Sequence, residues 1–162
     1  MLFEEFWLWL ESREISYRIG ETWLFPFLES IHVLSACMVV GAILMLDLRL
    51  LGLTANRYAI NRFAKELVPW SIGAFVVAFV TGLGMFIVRT VGYLGNSAFQ
   101  FKMLLLIAAG INMLAFHVGV FRSVDIWGNT MAIPKAAKIS AVLSLIFWVG
   151  VMLAGRWIGH TL

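Results

Sequence analysis

Four apolar stretches, each long enough to cross a lipid bilayer, constrain this chain more than any other feature. They cover residues 23–46, 67–88, 101–121 and 139–158. A transmembrane α-helix needs about 20 consecutive, mostly apolar residues. The chain of 162 residues is 62% hydrophobic and only 13% charged, whereas soluble domains carry about 25% charged residues. The pattern therefore predicts an all-α membrane protein, a single domain over residues 1–162 built as a four-transmembrane-helix bundle.

The distribution of Lys and Arg predicts how the bundle is oriented. The connections after the first and third stretches hold seven of these residues: Arg49, Arg57, Arg62, Lys65, Arg122, Lys135 and Lys138. The opposite side holds five, together with most of the acidic residues. Cytoplasmic loops of membrane proteins carry the excess of Lys and Arg. We therefore expect a bacterial inner-membrane protein with periplasmic termini. Since the basic residues follow topology and form no basic face, the net charge of +3 does not indicate nucleic-acid binding.

Residues 1–20 predict a helix that lies in the membrane interface. Phe3, Phe6, Trp7 and Leu10 recur at helical spacing, and glutamates occupy the other faces. The segment is too short and too charged to span the bilayer, and an interfacial amphipathic helix has this pattern. A surface that contacts a partner protein has the same pattern. The acidic start of the chain does not resemble a cleavable targeting segment.

Polar residues inside the apolar stretches are candidate site residues, because an ionisable side chain in lipid is costly. Glu29 and His32 lie three residues apart in the first stretch and therefore on adjoining helix faces. In the third stretch, Lys102 marks the outer end and His117 the inner half. Asn112, in the middle, is interpreted as an interhelical hydrogen bond.

The fourth stretch carries polar and large residues at every fourth position, which predicts one stripe along the helix. Its members are Ser140, Ser144, Trp148, Met152 and Arg156. Arg156 lies near the outer end, at the expected depth of the lysine that opens the third stretch. There the two cations are positioned to clamp an anionic group, while Arg156 snorkelling to the interface is the alternative.

Other polar residues receive structural interpretations. Asp47 and Arg49 close the first stretch, where we expect an interfacial salt bridge. Cys37, the only cysteine, predicts a packed apolar side chain and excludes an internal disulfide or a CxxCH haem-attachment motif. His160 lies near the C-terminus and is interpreted as interfacial.

Histidines on transmembrane helices favour a b-type haem. A porphyrin needs an axial imidazole, cations for its propionates and a slot opened by small residues. His32 is the expected first ligand, and Lys102 and Arg156 are the expected propionate contacts. The expected sources of space are Gly82, Gly84 and Gly155. The candidate cofactor-binding residues are therefore His32, His117, Lys102, Arg156, Met152, Asn112, Glu29 and Trp148, with His32 and His117 as candidate metal ligands.

The second axial ligand stays open at this point. The first and third stretches run in the same direction, so His32 and His117 differ in depth by about 10 Å. His32 can pair with Met152, leave the sixth position vacant, or leave His117 as a separate site. A further alternative is that His32 only hydrogen-bonds to a neighbouring carbonyl or carboxylate, such as Glu29.

Three functions use these residues. The first is electron transfer by a haem b subunit of a redox complex, which meets a partner protein or a second copy of the chain. The second is a membrane anchor or assembly subunit without a cofactor. The third is copper handling by the methionines, which are soft ligands, although methionine in apolar helices is usually packing filler. No motif for hydrolytic or phosphoryl-transfer chemistry occurs, which argues against a self-contained enzyme.

The chain resembles an uncharacterised family of small bacterial four-helix membrane proteins. The resemblance rests on residues 26–34 and 47–53, on Thr81-Gly82 and Phe116-His117, and on residues 155–158. More distantly, the chain is similar to copper-resistance D-type membrane proteins and to haem-binding protoporphyrinogen oxidases of the HemJ type. In the oxidases a first-helix histidine and a third-helix lysine are functional. The resemblance implies these roles for His32 and Lys102, with haem as the cofactor.

Overall fold

The computed structural model describes residues 2–54, 60–127 and 133–162. Its elements are α1 (Leu2–Glu11), α2 (Glu14–Gly20), α3 (Leu24–Leu50), α4 (Ile60–Phe86), α5 (Thr90–Gly95), α6 (Ser97–Val118), a 3-10 turn (Phe121–Ser123), α7 (Val124–Trp127) and α8 (Lys135–Thr161). Four helical segments are long and apolar enough to cross a membrane, namely α3, α4, Ser97–Ser123 and α8. The prediction of an all-α, multi-pass membrane protein with four transmembrane helices is confirmed.

The long helices extend beyond the apolar stretches. α3 continues through the polar residues Asp47 and Arg49, and α4 begins at Ile60, seven residues before the predicted start. α3 ends where Gly52 adopts a positive φ of 81°, and the Leu53 amide donates to the Leu48 carbonyl. Glycine takes this left-handed conformation without the penalty of a Cβ. Hydropathy finds the part of a helix that lies in lipid, while the end cap determines where the helix stops.

The transmembrane helices form two antiparallel pairs. α3 packs along α4, α6 packs along α8, and α3 joins the pairs by packing against α8. Within the described residues, α4 and α6 have no comparable contact along their length. α4 and α6 therefore do not pack closely along each other, and we call this gap in the helix packing the α4–α6 opening.

An aromatic cluster closes this opening at the end of the bundle that carries the chain termini. We call this the outer end, after the predicted orientation, and the opposite end the inner end. Phe86 of α4 stacks on Phe99, near the start of α6, with ring centroids 5.6 Å apart, and Tyr93 of α5 lies 5.4 Å from Phe99. Trp7 of α1 meets Phe86 edge to face at 6.0 Å. We call these four residues the aromatic cap.

The N-terminal region is helical as predicted but consists of two helices, not one. Residues 12–13 separate α1 from α2, and the Ser16 hydroxyl donates to the Leu10 carbonyl across the bend at 2.8 Å. α1 packs on α5, where the Glu11 carboxylate accepts a 2.7 Å hydrogen bond from the Val91 amide. This contact caps the N-terminus of α5 and holds α1 over the outer end of the bundle.

A packed apolar core closes the inner end. The connection between α6 and α8 folds back as the 3-10 turn and α7, although the sequence indicated only a loop there. Trp127 of α7 is buried, and its indole nitrogen donates to the Ser123 hydroxyl at 3.1 Å. The buried members of this inner core are Leu50, Ile60, Phe116, Val124, Trp127, Ala137 and Ala141.

Cys37 does not pack inside the bundle. Its side chain is exposed on the surface of α3, so the expectation of a packed position is wrong. On a spanning helix the exposed surface faces lipid, and a small apolar side chain is compatible with that environment.

Candidate functional site

His32 is held by the neighbouring helix through one ring nitrogen. Its Nδ1 lies 2.8 Å from the Ala78 carbonyl oxygen and 3.3 Å from the Thr81 hydroxyl of α4. A carbonyl oxygen can only accept, so Nδ1 carries the proton and donates. The Thr81 hydroxyl donates to the Val77 carbonyl, which leaves its oxygen free to accept from His32. The alternative interpretation, a hydrogen bond from His32 to a neighbouring carbonyl, is observed, and Ala78, not Glu29, is the partner.

The other ring nitrogen of His32 is available. In the neutral ring with the proton on Nδ1, Nε2 carries a lone pair, and no described residue donates a hydrogen bond to it. Histidines that ligate metals characteristically donate their second ring N–H to a carbonyl or carboxylate, which fixes the tautomer and the ring orientation. The geometry of His32 meets this requirement.

Two glycines of α4 allow α3 to approach closely. A Cβ at Gly82 would lie 3.1 Å from His32 Cε1, and one at Gly84 would lie 3.0 Å from a methyl carbon of Leu28. The sequence indicated these glycines as space for a porphyrin. That prediction is wrong at these two positions, because the space is filled by side chains of α3.

Lys102 lies near enough to His32 to act on it electrostatically, and it has no anionic partner among the described residues. Its alkyl chain crosses the face of Gly155 on α8, where a Cβ would be 3.6 Å from Nζ, and its ammonium interacts electrostatically with His32. In the described part of the chain, the ion pairs are Arg18–Glu14 and Arg62–Glu66, and neither involves Lys102. A half-buried ammonium without a counter-charge is costly in a membrane, which marks this point as suited to an anionic group.

Glu29 lies at the edge of the same region. It is exposed on the bundle surface, and its carboxylate acts electrostatically on both His32 and Tyr93. Tyr93 belongs to α5, outside the spanning helices, and burial together with the Glu29 charge raises the pKa of its phenol. Tyr93 therefore stays neutral beneath α1, at the outer boundary of the site.

The predicted stripe on α8 does not form one face. Steps of four residues advance about 40° around a helix, so four such steps turn about 160°. Ser140 faces α6, Trp148 and Met152 are half-buried, and Arg156 is exposed at the outer end. Arg156 thus shares the outer end with Lys102 but does not point into the bundle with Ser140.

His117 lies apart from His32. It occupies the last turn of α6, exposed on the bundle surface, and its Nδ1 donates to the Met113 carbonyl at 3.0 Å. Fifteen residues separate it from Lys102, which corresponds to about 22 Å along the helix. The two candidate ligands are in opposite halves of the bundle. No group of three or more His, Cys, Asp or Glu side chains in the described chain is arranged to hold a metal ion.

Asn112 joins α6 to α8 as predicted. Its amide nitrogen donates to the Ser140 carbonyl at 3.0 Å, and the Ser140 hydroxyl donates to its side-chain oxygen at 3.1 Å. The pair satisfies the amide within the bundle, so Asn112 stabilises the α6–α8 pair.

The groups that surround His32 were not predicted from the sequence. Thr81 and the carbonyl of Ala78 orient the ring, and the aromatic cap closes the outer end above it. Thr81 stands directly before Gly82, and a hydroxyl beside a glycine in an apolar helix is the signal that indicates such a contact.

Comparison with known proteins identifies a family to which the chain is similar. Neither a curated protein nor a solved structure is significantly similar to the chain. The model of a family of unknown function, DUF6644, matches residues 6–161. The match covers the N-terminal helices, all four transmembrane helices and the site around His32. The chain therefore belongs to the DUF6644 family.

Proposed function

We propose that this protein binds haem b in the outer half of the bundle, with His32 Nε2 as axial ligand and Lys102 as a propionate contact. One observation carries the proposal. His32 is oriented through Nδ1 with Nε2 unpartnered among the described residues, and it stands beside an ammonium that lacks a counter-ion there. A neutral imidazole near a cation suits haem, because the imidazole would bind the iron and the cation would contact a propionate carboxylate.

The described residues supply one histidine ligand for the haem, His32. His117 is about 22 Å from Lys102 along α6, so it is not the second ligand in this proposal. Met152, half-buried on α8, is the candidate that would supply a second protein ligand. The α4–α6 opening favours insertion of a planar group there, since Gly82 and Gly84 of α4 are covered by side chains of α3.

In this proposal the chain binds the haem, orients the ligating imidazole and encloses the site. Ala78 and Thr81 fix the imidazole ring, Lys102 and the exposed Arg156 supply positive charge, and the aromatic cap limits access of water from the outer end. Bound haem b would supply one-electron transfer. The resemblance of His32 and Lys102 to the functional histidine and lysine of HemJ-type oxidases favours haem binding, whereas oxidase catalysis does not form part of the proposal.

We further propose that the protein lies in a bacterial inner membrane with both termini periplasmic. The charge asymmetry of seven against five basic residues is the basis, through the preference of Lys and Arg for cytoplasmic loops. A periplasmic redox partner or a second copy of the chain would then meet the protein over α1. A C-terminal alkaline phosphatase fusion, active only in the periplasm, tests the orientation.

Visible spectroscopy of the purified protein, oxidised and reduced, tests haem binding. We expect a Soret band and reducible α and β bands when haem is supplied during expression, and loss of these bands in His32→Ala. The matched control is His160→Ala, at an exposed position near the C-terminus, which keeps the spectrum. His117→Ala is expected to keep it as well. Loss of the bands in His117→Ala with retention in His32→Ala would assign the ligand to the inner half and refute the proposed site.

Lys102 has its own test. Lys102→Met keeps the length of the side chain but removes the charge, so we expect weaker haem retention during dilution. Lys138→Met, at an exposed lysine of the inner end, is the matched control and retains haem like the wild type. Equal retention by both variants would remove Lys102 from the site.

A cofactor-free anchor subunit is the second candidate function. Contacts between the helices favour it. Asn112 and Ser140 hydrogen-bond to each other, and the space beside Gly82 is occupied by His32, so these positions need no cofactor. Protein that stays colourless although haem was supplied would favour this function. Bound copper without a Soret band would instead favour copper handling.

A further inference from the structure

Asp47 is a buried carboxyl group outside the site around His32. It lies near the inner end of α3 and is only 5% exposed. Its Oδ2 atom is buried and has no hydrogen-bond partner among the described residues. The inner core beside it includes Leu50, which is 2% exposed, and Ile60 of α4, which is fully buried. The carboxyl group is therefore enclosed by protein and does not reach the aqueous surface.

The expected salt bridge between Asp47 and Arg49 is absent. Both residues are described, and no ion pair joins them. Two residues apart on an α-helix means about 200° around the axis, so the two side chains leave α3 on nearly opposite sides. The polar neighbour of Asp47 on α8 is Ser144, whose hydroxyl lies close enough to act on the carboxyl group.

No charged side chain on the packed helices compensates Asp47 in the described part of the chain. α3 packs against α4 and α8 at this end. The ionisable groups there are Arg62, Lys65 and Glu66 of α4, and Lys135 and Lys138 of α8. All five are exposed, Arg62 is paired with Glu66, and none forms an ion pair with Asp47. An ionised carboxylate would therefore be buried with a single hydroxyl for solvation, which is highly unfavourable.

A bound metal cation does not fit this position. Hard cations such as Ca²⁺ and Mg²⁺ need about six oxygen ligands. In the described part of the chain, Asp47 belongs to no group of three or more His, Cys, Asp or Glu side chains that could hold a metal ion, and Asn112 and Ser140 satisfy each other. The remaining way to remove the charge is protonation.

We propose that Asp47 is a proton-binding site that is occupied at neutral pH, so that the inner half of the bundle contains a neutral carboxylic acid. One proton bound to the Asp47 carboxylate forms the neutral acid, and the Ser144 hydroxyl is the polar group close to it. Release of the proton requires exposure of the carboxylate to water, and the inner core prevents that exposure. Any motion that opens the inner core is thereby linked to proton release on the side of the seven basic residues. This site is independent of haem binding.

Infrared spectroscopy of the purified full chain tests the proposal. A protonated carboxylic acid has a C=O stretching band that carboxylates lack. The chain contains only two aspartates, Asp47 and Asp125, so ¹³C-labelled aspartate assigns the band. We expect a label-sensitive band at neutral pH that is lost in Asp47→Asn and retained in Asp125→Asn. Absence of a label-sensitive acid band at neutral pH, or its loss in Asp125→Asn alone, overturns the proposal.

The thermal stability of Asp47→Asn gives a second, independent measurement. Asn has nearly the shape of a neutral carboxylic acid, so we expect an unchanged Tm at neutral pH if Asp47 is protonated. A charged Asp47 that is held by a counter-ion would instead lose that interaction in the variant, and the Tm would fall. If Asp47→Asn does not fold, this result opposes the proposal, and the labelled band of the wild type together with Asp125→Asn still decides the protonation state.

Discussion

Gly82→Ala is the sharpest test of the contact that holds His32. A Cβ at this position would lie 3.1 Å from Cε1 and 3.4 Å from Nδ1 of the imidazole. The ring is also bound to the Ala78 carbonyl at 2.8 Å, so it cannot retreat from the new methyl group without weakening that bond. The variant therefore places strain on the helix pair α3–α4 at the candidate site.

Two opposing contributions determine the change in the free energy of unfolding of Gly82→Ala. Overpacking of a close contact costs about 1–3 kcal/mol, and replacing glycine by alanine inside a helix gains roughly 0.5–1 kcal/mol. Gly73 lies in the same helix, and a Cβ added there would meet no neighbouring side chain or helix within 4 Å. Because the gain from helix propensity is common to both, Gly82→Ala should be less stable than Gly73→Ala by about 1–3 kcal/mol.

Equilibrium unfolding in mixed micelles of a mild detergent and sodium dodecyl sulfate measures this difference. We expect Gly73→Ala to unfold at the wild-type detergent fraction or above it, and Gly82→Ala to unfold below it. Equal stability of the two alanine variants would mean that α3 and α4 do not approach each other at His32 as described. The orientation of the imidazole, and with it the proposed haem ligand, would then lose its basis.

Three further predictions concern other contacts. The Asn112–Ser140 pair should show a coupling energy of about 0.6 kcal/mol, and at most about 1.7, in a double-mutant cycle with alanine. Glu11→Ala removes the cap of α5 and should cost about 0.5–2 kcal/mol. Tyr93 has a raised pKa through burial and a nearby carboxylate. Its neutral form stabilises the fold below the unfolded pKa of about 10, and this contribution is lost as the pH rises through the higher folded pKa.

Each of these predictions has a control and a contrary result. A coupling energy of zero would show that Asn112 and Ser140 do not interact across the helix pair. Glu11→Gln keeps the acceptor oxygen and should lose only the charge contribution, about 0.3–1 kcal/mol, so an equal loss in both variants would contradict capping. Tyr93→Phe should flatten part of the alkaline fall in stability, whereas Tyr17→Phe, at an exposed position, should not. Identical alkaline profiles for the two phenylalanine variants would rule out the buried phenol.

Much of the fold was predictable because helices that cross lipid can be recognised from their hydropathy. A spanning helix must satisfy its backbone internally and expose apolar side chains, so residues 23–46 and 101–121 identified α3 and α6 directly. The early start of α4 at Ile60 was not predictable in this way, since residues 60–66 are polar enough to resemble a loop. They remain helical because Ile60 and Ala64 are buried against the inner end of the bundle.

The site was only partly predictable. A histidine and a lysine inside apolar stretches identified His32 and Lys102, because intramembrane ionisable residues stand out in composition. Which helices meet at those residues is a tertiary fact, so the partners Ala78 and Thr81 could not be named. The expected salt bridge of Asp47 failed for a local geometric reason, since residues at i and i+2 of a helix point in nearly opposite directions.

The two ionisable regions of the bundle should act independently, and this can be tested. His32 and Asp47 lie fifteen residues apart on α3, about 22 Å along its axis. Between them the buried positions are Ser35, whose hydroxyl donates to the Ile31 carbonyl, and Val39. Neither side chain offers a free group for proton transfer, so no direct coupling is expected. Asp47→Asn should therefore keep the visible spectrum of bound haem, and His32→Ala should keep the infrared band of the protonated aspartate. A band that shifts with the oxidation state of the haem in the wild type, and that no longer shifts in His32→Ala, would instead require a continuous path through the apolar middle of α3.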